Sequence, residues 1–330
     1  MAKPTLQEAI TEYVHHLTAR GLAKGTVDGQ HDSLRAFAKA TGNVLAWSLT
    51  PKHLDRVFTA NPHWAPGTRN NRLAHYKQFF RWCRARGYMH RDSDPAFGWG
   101  NTKVPRKDQM KIPVSEWGHL ISMCETPNER IVVATGLFLF LRGSEQQLLQ
   151  LKHVHLDDLE IEVYRKKTGD WDVMPISMEL AGYLREHLTY LATMNAPKPD
   201  HYLIPTNYSP VSVKGRFVPG TARPNPNKPF CRPYDVVKAV LGRAGYPTYR
   251  EGEHTLRRSG ARAYFDTLAD AGYDGALRQV QAMLGHEHAE MTERYLGLRH
   301  DRQKRNAKIK GQPMFPVLQD AKIVPIRREM

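Results

Sequence analysis

Cysteine is scarce. The chain holds three in 330 residues, Cys83, Cys124 and Cys231, and none forms a C-x-x-C pair. That spacing excludes a disulfide framework and a zinc knuckle, and the thiols read as reduced cytosolic ones. No apolar run reaches the ~18 residues that a membrane-spanning helix needs. The stretch from Met1 to Glu8 lacks the apolar core of a secretory signal. There is no internal repeat and no low-complexity tract. Acidic residues are also short, 33 against 48 Lys and Arg, for a net charge of +15. A balance this basic points to a polyanionic partner, most often nucleic acid, with a merely soluble basic protein as the alternative. The excess is uneven. Residues 1–112 carry 18 Lys and Arg against 8 Asp and Glu, so a third of the chain holds +10 of the total. The length suits two domains, each with its own core.

The N-terminal third reads as four helices. Thr5-Leu6-Gln7-Glu8 is a capping-box pattern, in which a hydroxyl and a carboxylate satisfy otherwise orphaned amides. Leu6, Ile10, Tyr13, Val14 and Leu17 follow at helical spacing, and Gly21 ends the segment. A second helix is predicted over about 26–40, with Leu34 and Phe37 inward and Gly42 past its end. Thr50-Pro51 starts a third, with Leu54, Val57 and Phe58 on its apolar side. Pro66 launches the longest, to about Arg86, striped by Leu73, Tyr76, Phe80 and Cys83. Arg69, Arg72, Lys77, Arg81, Arg84 and Arg86 are interleaved around that stripe. They read either as a solvated face or as a helix laid on DNA phosphates and into the major groove. Residues 98–112 have no periodicity. With Lys103, Arg106 and Lys107 among Gly and Pro, they read as a basic linker.

Ser115 opens the second domain. A helix near 115–124 precedes a long apolar helix, predicted from Ile131 to Leu151. It contains Thr135-Gly136 and, after five large apolar residues, Arg142-Gly143-Ser144-Glu145. An arginine buried there needs an anionic partner; a surface pair with Glu145 is the plainer alternative. Val154–Asp158 and Leu159–Tyr164 alternate as strands, Lys166-Lys167-Thr168-Gly169-Asp170 turns, and Trp171–Ile176 returns. Helix 178–192 follows. The Pro-rich residues 196–233 read as irregular, with Lys214, Arg216, Arg223, Lys228 and Arg232 as candidate phosphate contacts. Pro233 starts another helix, ended by Gly245. The next helix, Thr255 to Ala271, has His254 at its entrance and Arg257 in its first turn, an end that favours anions. Val280–Leu284 stops at Gly285-His286, and Tyr295 lies nine residues beyond His286. Tyr264 and Tyr273 are nearby but do not keep that interval. A basic tail, Arg302 to Lys310, precedes an apolar Met314–Leu318 patch and a strand-like Ile323–Ile326.

His254-Thr255-Leu256-Arg257, then Leu284-Gly285-His286, then Tyr295 resembles box II of the tyrosine recombinases, the phage integrases and related site-specific DNA recombinases. Arg142-Gly143-Ser144-Glu145 with Leu148 and Leu151 resembles box I. The lysine before Thr168-Gly169 is similar to that of the family's β2–β3 hairpin, and the four N-terminal helices with Asp94-Pro95-Ala96 resemble its core-binding domain. The likeness runs from about residue 5 to 300. It implies a mainly α fold with a small antiparallel sheet (α+β). Residues 1–97 would form the core-binding domain, 98–112 the basic linker and 113–311 the catalytic domain. Residues 312–330 would form a tail packing on a neighbouring subunit or in cis.

The resemblance also implies a catalytic set of Arg142, Lys167, His254, Arg257, His286 and Tyr295, with Lys166 as the competitor of Lys167. In that chemistry a tyrosine attacks the phosphorus, the arginines stabilise the charge and a lysine protonates the departing oxygen, with no metal and no cofactor. DNA contacts are expected from Arg69, Arg72, Lys77, Arg81, Arg84, Lys103, Arg106 and Lys107. The expected protein is a phage integrase without an arm-binding domain, acting in the bacterial host cytoplasm. It would be a monomer when free and a homotetramer on double-stranded DNA, working through a Holliday junction. Host DNA-bending or directionality factors are its candidate further partners. The rivals are a type IB topoisomerase-like enzyme and a non-catalytic DNA-binding regulator of the same fold.

Overall fold

The computed structural model describes residues 3–105, 109–194, 196–207, 212–213, 216–217 and 224–298. Arg106, Lys107, Lys214, Arg223 and the C-terminal segment 299–330, with its basic tail, lie outside the described residues. The chain divides into two compact units, residues 1–107 and 108–330.

In the first unit, α1 (Leu6–Ala19), α2 (Lys24–Thr41), α3 (Pro51–Ala60) and α4 (Pro66–Ala85) surround one core. The capping box at Thr5 forms: its hydroxyl accepts from the Glu8 amide at 3.3 Å, and the Glu8 carboxylate accepts from the Thr5 amide at 2.8 Å. Leu6, Ile10, Leu34, Phe37, Leu54, Tyr76, Phe79 and Phe80 are fully buried. Each such side chain contributes roughly 1.5–3 kcal/mol by leaving water. Phe37 packs on Tyr76 and Phe80, with ring centroids 5.2 and 5.6 Å apart. Phe79, outside the predicted stripe, meets Tyr13 edge-on at 5.4 Å.

The second unit is built on two closely packed helices, α6 (Pro127–Phe138) and α10 (Glu253–Asp270). Every residue of α6 from Ile131 to Leu137 is buried. Around this pair stand α5 (Trp117–Ser122), α7 (Gly143–Gln146), α8 (Met178–Met194), α9 (Pro233–Arg243), α11 (Ala276–Leu284) and α12 (Ala289–Leu296). A three-stranded antiparallel sheet of β1 (Val154–His155), β2 (Glu160–Arg165) and β3 (Asp170–Pro175) carries the hairpin turn at 166–169. Within 196–233, expected to be irregular, β4 (Pro205–Asn207) pairs antiparallel with β7 (Pro224–Pro229), and β5 (Ser212–Val213) pairs with β6 (Arg216–Phe217).

One expectation fails. The helix predicted over Ile131–Leu151 is broken at residues 139–142. The Leu139 amide still reaches the Thr135 carbonyl at 3.2 Å, but Phe140 turns left-handed at φ 54° and Arg142 is extended. A left-handed non-glycine residue costs about 1–2 kcal/mol. Tertiary contacts offset that cost. The Phe140 ring joins Ala261, Val280, Leu284 and Leu296 in a small separate core, and its carbonyl accepts from Arg257. Gly260 of α10 sits so close to the Leu137 carbonyl that a Cβ there would collide with it. The break turns the chain so that Arg142 becomes the N-cap of α7.

Candidate active site

The site starts from one buried carboxylate. Glu145, 1% exposed, is the third residue of α7 and accepts from the Arg142 amide at 2.8 Å and from Arg142 Nη1 at 2.7 Å. Arg165 Nη1 lies 3.3 Å from the same carboxylate, and Arg257 Nη1 lies 3.6 Å from it. Three guanidiniums, from the N-cap of α7, from β2 and from α10, thus converge on one anion. The pair of Arg142 with Glu145 exists, as the plainer reading had it, but its carboxylate is in the interior rather than on the surface.

Arg257, 1% exposed, is held further by carbonyls at two chain breaks. Nη1 donates to Phe140 O, and Nη2 donates to Leu284 O at 2.6 Å. Burial, then the nearby Arg142 charge, pulls its pKa down to about 10, so it stays protonated at neutral pH. The last turn of α11 leaves carbonyls that no helical amide can reach. Arg257 takes that of Leu284, and Arg165 Nη2 takes that of Met283 at 2.8 Å. Gly285 then adopts the left-handed conformation, φ 59°, which glycine enters without a Cβ penalty.

That turn presents His286. Its Nδ1 lies 3.1 Å from Thr292 Oγ1 on α12, and its ring meets Tyr295 edge-on at 5.5 Å. The Tyr295 hydroxyl donates to the His254 carbonyl at 3.4 Å, at the start of α10. His286 is held down to about 4 by burial and by the charges of Arg257, Arg142, Lys167 and Arg165. His254 is lowered by burial and by Arg257, Arg258 and Arg142. Burial raises the Tyr295 phenol, against the opposing pull of Arg257, Arg258 and Arg142. The structure therefore brings Arg142, His254, Arg257, His286 and Tyr295 together. Lys167 and Lys166 are both exposed on the hairpin turn, and the charge of Lys167 reaches His286. A half-buried phenol beside two neutral imidazoles and two fixed cations suits a nucleophile acting on a phosphodiester.

The sequence profile of the phage integrase family matches residues 119–302. The chain belongs to the phage integrase family. It is a tyrosine-type site-specific recombinase by class. It is 24% identical to the tyrosine recombinase XerC of Chromobacterium violaceum over 303 residues, 89% of this chain and 91% of that one. It shares its fold with lambda integrase(75–356), solved as a dimer bound to a COC′ core site: TM-score 0.67, 15% identity, covering 88% of this chain and 95% of that one. A lambda integrase tetramer bound to a Holliday junction matches with TM-score 0.65 at 15% identity, over 86% of this chain and 78% of that one.

Several residues of this candidate site are not marked by the sequence motifs. Arg165 could have been found: β2 alternates, so Ile161, Val163 and Arg165 share its buried face. Arg258 is nearly buried and donates to Glu251 at 2.8 Å. Glu253 fills the space that Gly143 leaves by lacking a side chain, where a Cβ would strike its carboxylate. Burial pushes the Glu253 carboxyl upward. Among the described residues, no cluster of His, Cys, Asp or Glu could hold a metal ion, and no helix is long and apolar enough to cross a membrane.

The basic residues of α4 are partly committed within their own unit. Arg72 stacks on Trp64 at 4.2 Å, and Arg69 lies over Phe58 at 5.0 Å. Lys77 donates to the Trp99 carbonyl at 2.7 Å, and Arg84 donates to that of Ser93 at 2.8 Å. Arg81 and Lys103 are exposed.

Proposed function

We propose that this chain recombines DNA at specific sites through Tyr295 and serves to integrate phage or other mobile DNA. Tyr295 Oη attacks the scissile phosphorus. The Oη–P bond forms as the P–O5′ bond breaks, leaving a 3′-phosphotyrosine and a free 5′-hydroxyl. Arg142 and Arg257 neutralise the charge gathering on the non-bridging oxygens; each such donor is worth on the order of 10²–10³ in rate. His254 and His286, neutral at pH 7, accept the phenol proton or hydrogen-bond the phosphate. Lys167 protonates the departing 5′-oxygen. A partner's 5′-hydroxyl then reverses the attack on the new strand, with no external energy source.

The observation that carries this reading is the Tyr295 hydroxyl, 3.4 Å from the His254 carbonyl and flanked by His286, in the field of Arg142 and Arg257. In this reading residues 1–97 are the core-binding half, 113–311 the catalytic half and 98–112 the tether between them, with Arg81 and Lys103 best exposed for phosphate contact. Four copies act on two duplexes through a Holliday junction, an arrangement supported by the junction-bound lambda tetramer of the same fold.

The test is trapping. Wild type and Tyr295→Phe are incubated with fragmented, nicked host and mobile-element DNA, and SDS-stable adducts are sequenced. Adducts in wild type alone, at one recurring sequence, support the reading. Adducts surviving in the Phe variant overturn the assignment of Tyr295. Specific binding without any adduct favours a regulator, and relaxation of supercoils without joining of two sites favours a topoisomerase. Recovered sites confined to host DNA overturn integration while leaving recombination standing.

A further inference from the structure

Arg165 is used by none of the chemical steps above, yet few side chains in the second unit are so fully engaged. It is 4% exposed at the end of β2. Its Nε and Nη2 fork onto Asp172 Oδ2 of β3 at 3.0 and 2.8 Å. Nη1 reaches Glu145 at 3.3 Å, beneath Arg142 and Arg257. Nη2 also donates to the Met283 carbonyl at 2.8 Å and lies 3.0 Å from Met174 Sδ, while the guanidinium lies alongside Gly285. Its own carbonyl accepts from the amides of Thr168 and Gly169 at 3.0 and 2.8 Å, closing the turn that holds Lys167. One residue therefore ties the lysine hairpin to the carboxylate under the arginine pair and to the helix end that presents His286.

We propose that Arg165 is a positioning residue that fixes the Lys167 hairpin against the Arg142–Arg257 phosphate pocket, so that Lys167 can protonate the leaving 5′-oxygen. The hairpin turn itself is exposed, and the strand pairing of β2 with β3 only holds it to the sheet. The guanidinium fork is what joins it to the pocket, because its planar donors reach three acceptors on three elements at once. A lysine keeps the charge but is a single point donor and cannot span them. The proposal rests on the reading of Lys167 as general acid and adds a residue to it.

The test replaces the scissile 5′-oxygen by sulfur in the duplex recovered by trapping. A thiol of pKa about 8.5 leaves without a proton, whereas an alkoxide needs one. Single-turnover cleavage of both substrates is measured for wild type, Arg165→Lys, Asp172→Asn and Lys167→Ala, with melting temperature and DNA affinity recorded beside it. Arg165→Lys should cleave the oxygen substrate on the order of 10²-fold more slowly, the usual result of a misplacement of about 1 Å. Its sulfur cleavage should stay within a few-fold of wild type. Asp172→Asn, which leaves Arg165 in place but loosens its hairpin anchor, should show the same pattern more weakly. A variant equally slow on both substrates has lost general architecture, and that outcome overturns the positioning role. Full oxygen cleavage by Arg165→Lys overturns it too. If sulfur fails to relieve Lys167→Ala, the general-acid reading falls instead, whatever Arg165 does.

Discussion

Glu145→Gln isolates the carboxylate on which the candidate site is built. The substitution keeps the shape of the side chain and removes its charge from beneath three guanidiniums at 2.7, 3.3 and 3.6 Å. At an effective dielectric near 20, each such attraction amounts to about 4 kcal/mol, set against a desolvation cost of several kcal/mol for the buried carboxylate. Removing one partner of a buried charge cluster typically costs about 3–5 kcal/mol, because the remaining charges are left uncompensated. In a unit of this size a kilocalorie moves the melting temperature by about 2–4 °C, so a fall of roughly 10 °C is expected. The assay is thermal unfolding in low-sulfate buffer, repeated with sulfate. Sulfate stands in for a DNA phosphate, and it should stabilise the variant more than the wild type because it replaces the missing negative charge. A variant that melts within about 2 °C of wild type, with the same response to sulfate, would show that the arginines are held by their carbonyls and strand packing, and the electrostatic account would fall.

Acid should weaken the fold through His286. Its pKa is depressed to about 4, against about 6.5 in an unfolded chain, so the unfolded state binds more protons between those values. Stability is then full above about pH 6.5 and declines as pH falls toward 4; His286→Asn should flatten the melting-temperature profile in that window, and parallel profiles would refute the assignment. Gly143→Ala drives a Cβ into the Glu253 carboxylate, the end of a flexible side chain that can swing aside, and should cost about 1 kcal/mol or less. Adding Glu253→Ala should restore most of that loss in a double-mutant cycle, and strict additivity would count against the contact.

The helices of the first unit were legible because local signals and the core agree there. The capping box at Thr5, Pro51 after Thr50, Pro66 and the glycines at 21 and 42 mark ends that the apolar stripes alone would leave vague. In the second unit the hairpin and the Gly285 stop were legible for the same reason. The break at 139–142 was not. From Ile131 to Leu141 the sequence is almost unbroken apolar, and nothing local distinguishes a continuing helix from one that ends at Phe138. What ends it is far away in sequence: Gly260 crowding Leu137, and Arg257 binding the carbonyl of Phe140. The depth of Glu145 was hidden likewise, since an arginine three residues before a glutamate describes an exposed pair equally well. Only Arg165 and Arg257, 20 and 112 residues away, make it the centre of a cluster.

In the proposed reaction the same contacts let the site stand ready without DNA. Arginines gathered for a phosphate repel one another until it arrives, and a fold that relied on the ligand to hold them would lose its geometry in between. Here the interior answers with fixed partial charges. The Met283 and Leu284 carbonyls lie at the C-terminal end of α11, where a helix carries negative potential. They accept from Arg165 and Arg257, while Glu145 supplies the one full negative charge that all three guanidiniums share. None of these acceptors can drift away as a counterion can. Arg257 is consequently almost sealed, with 1% of its side chain exposed, whereas Arg142 keeps 21%. The two arginines are thus unequal before any DNA binds. Arg257 is a held cation whose field adds to burial in lowering His286 and opposes burial at Tyr295, and Arg142 is the one that keeps exposed surface for the proposed phosphate. The same α11 end that holds Arg257 also turns through Gly285 into His286, so arginine placement and histidine placement are one structural event. A change that loosens the α11 terminus should therefore disturb both groups together, even where it touches neither side chain.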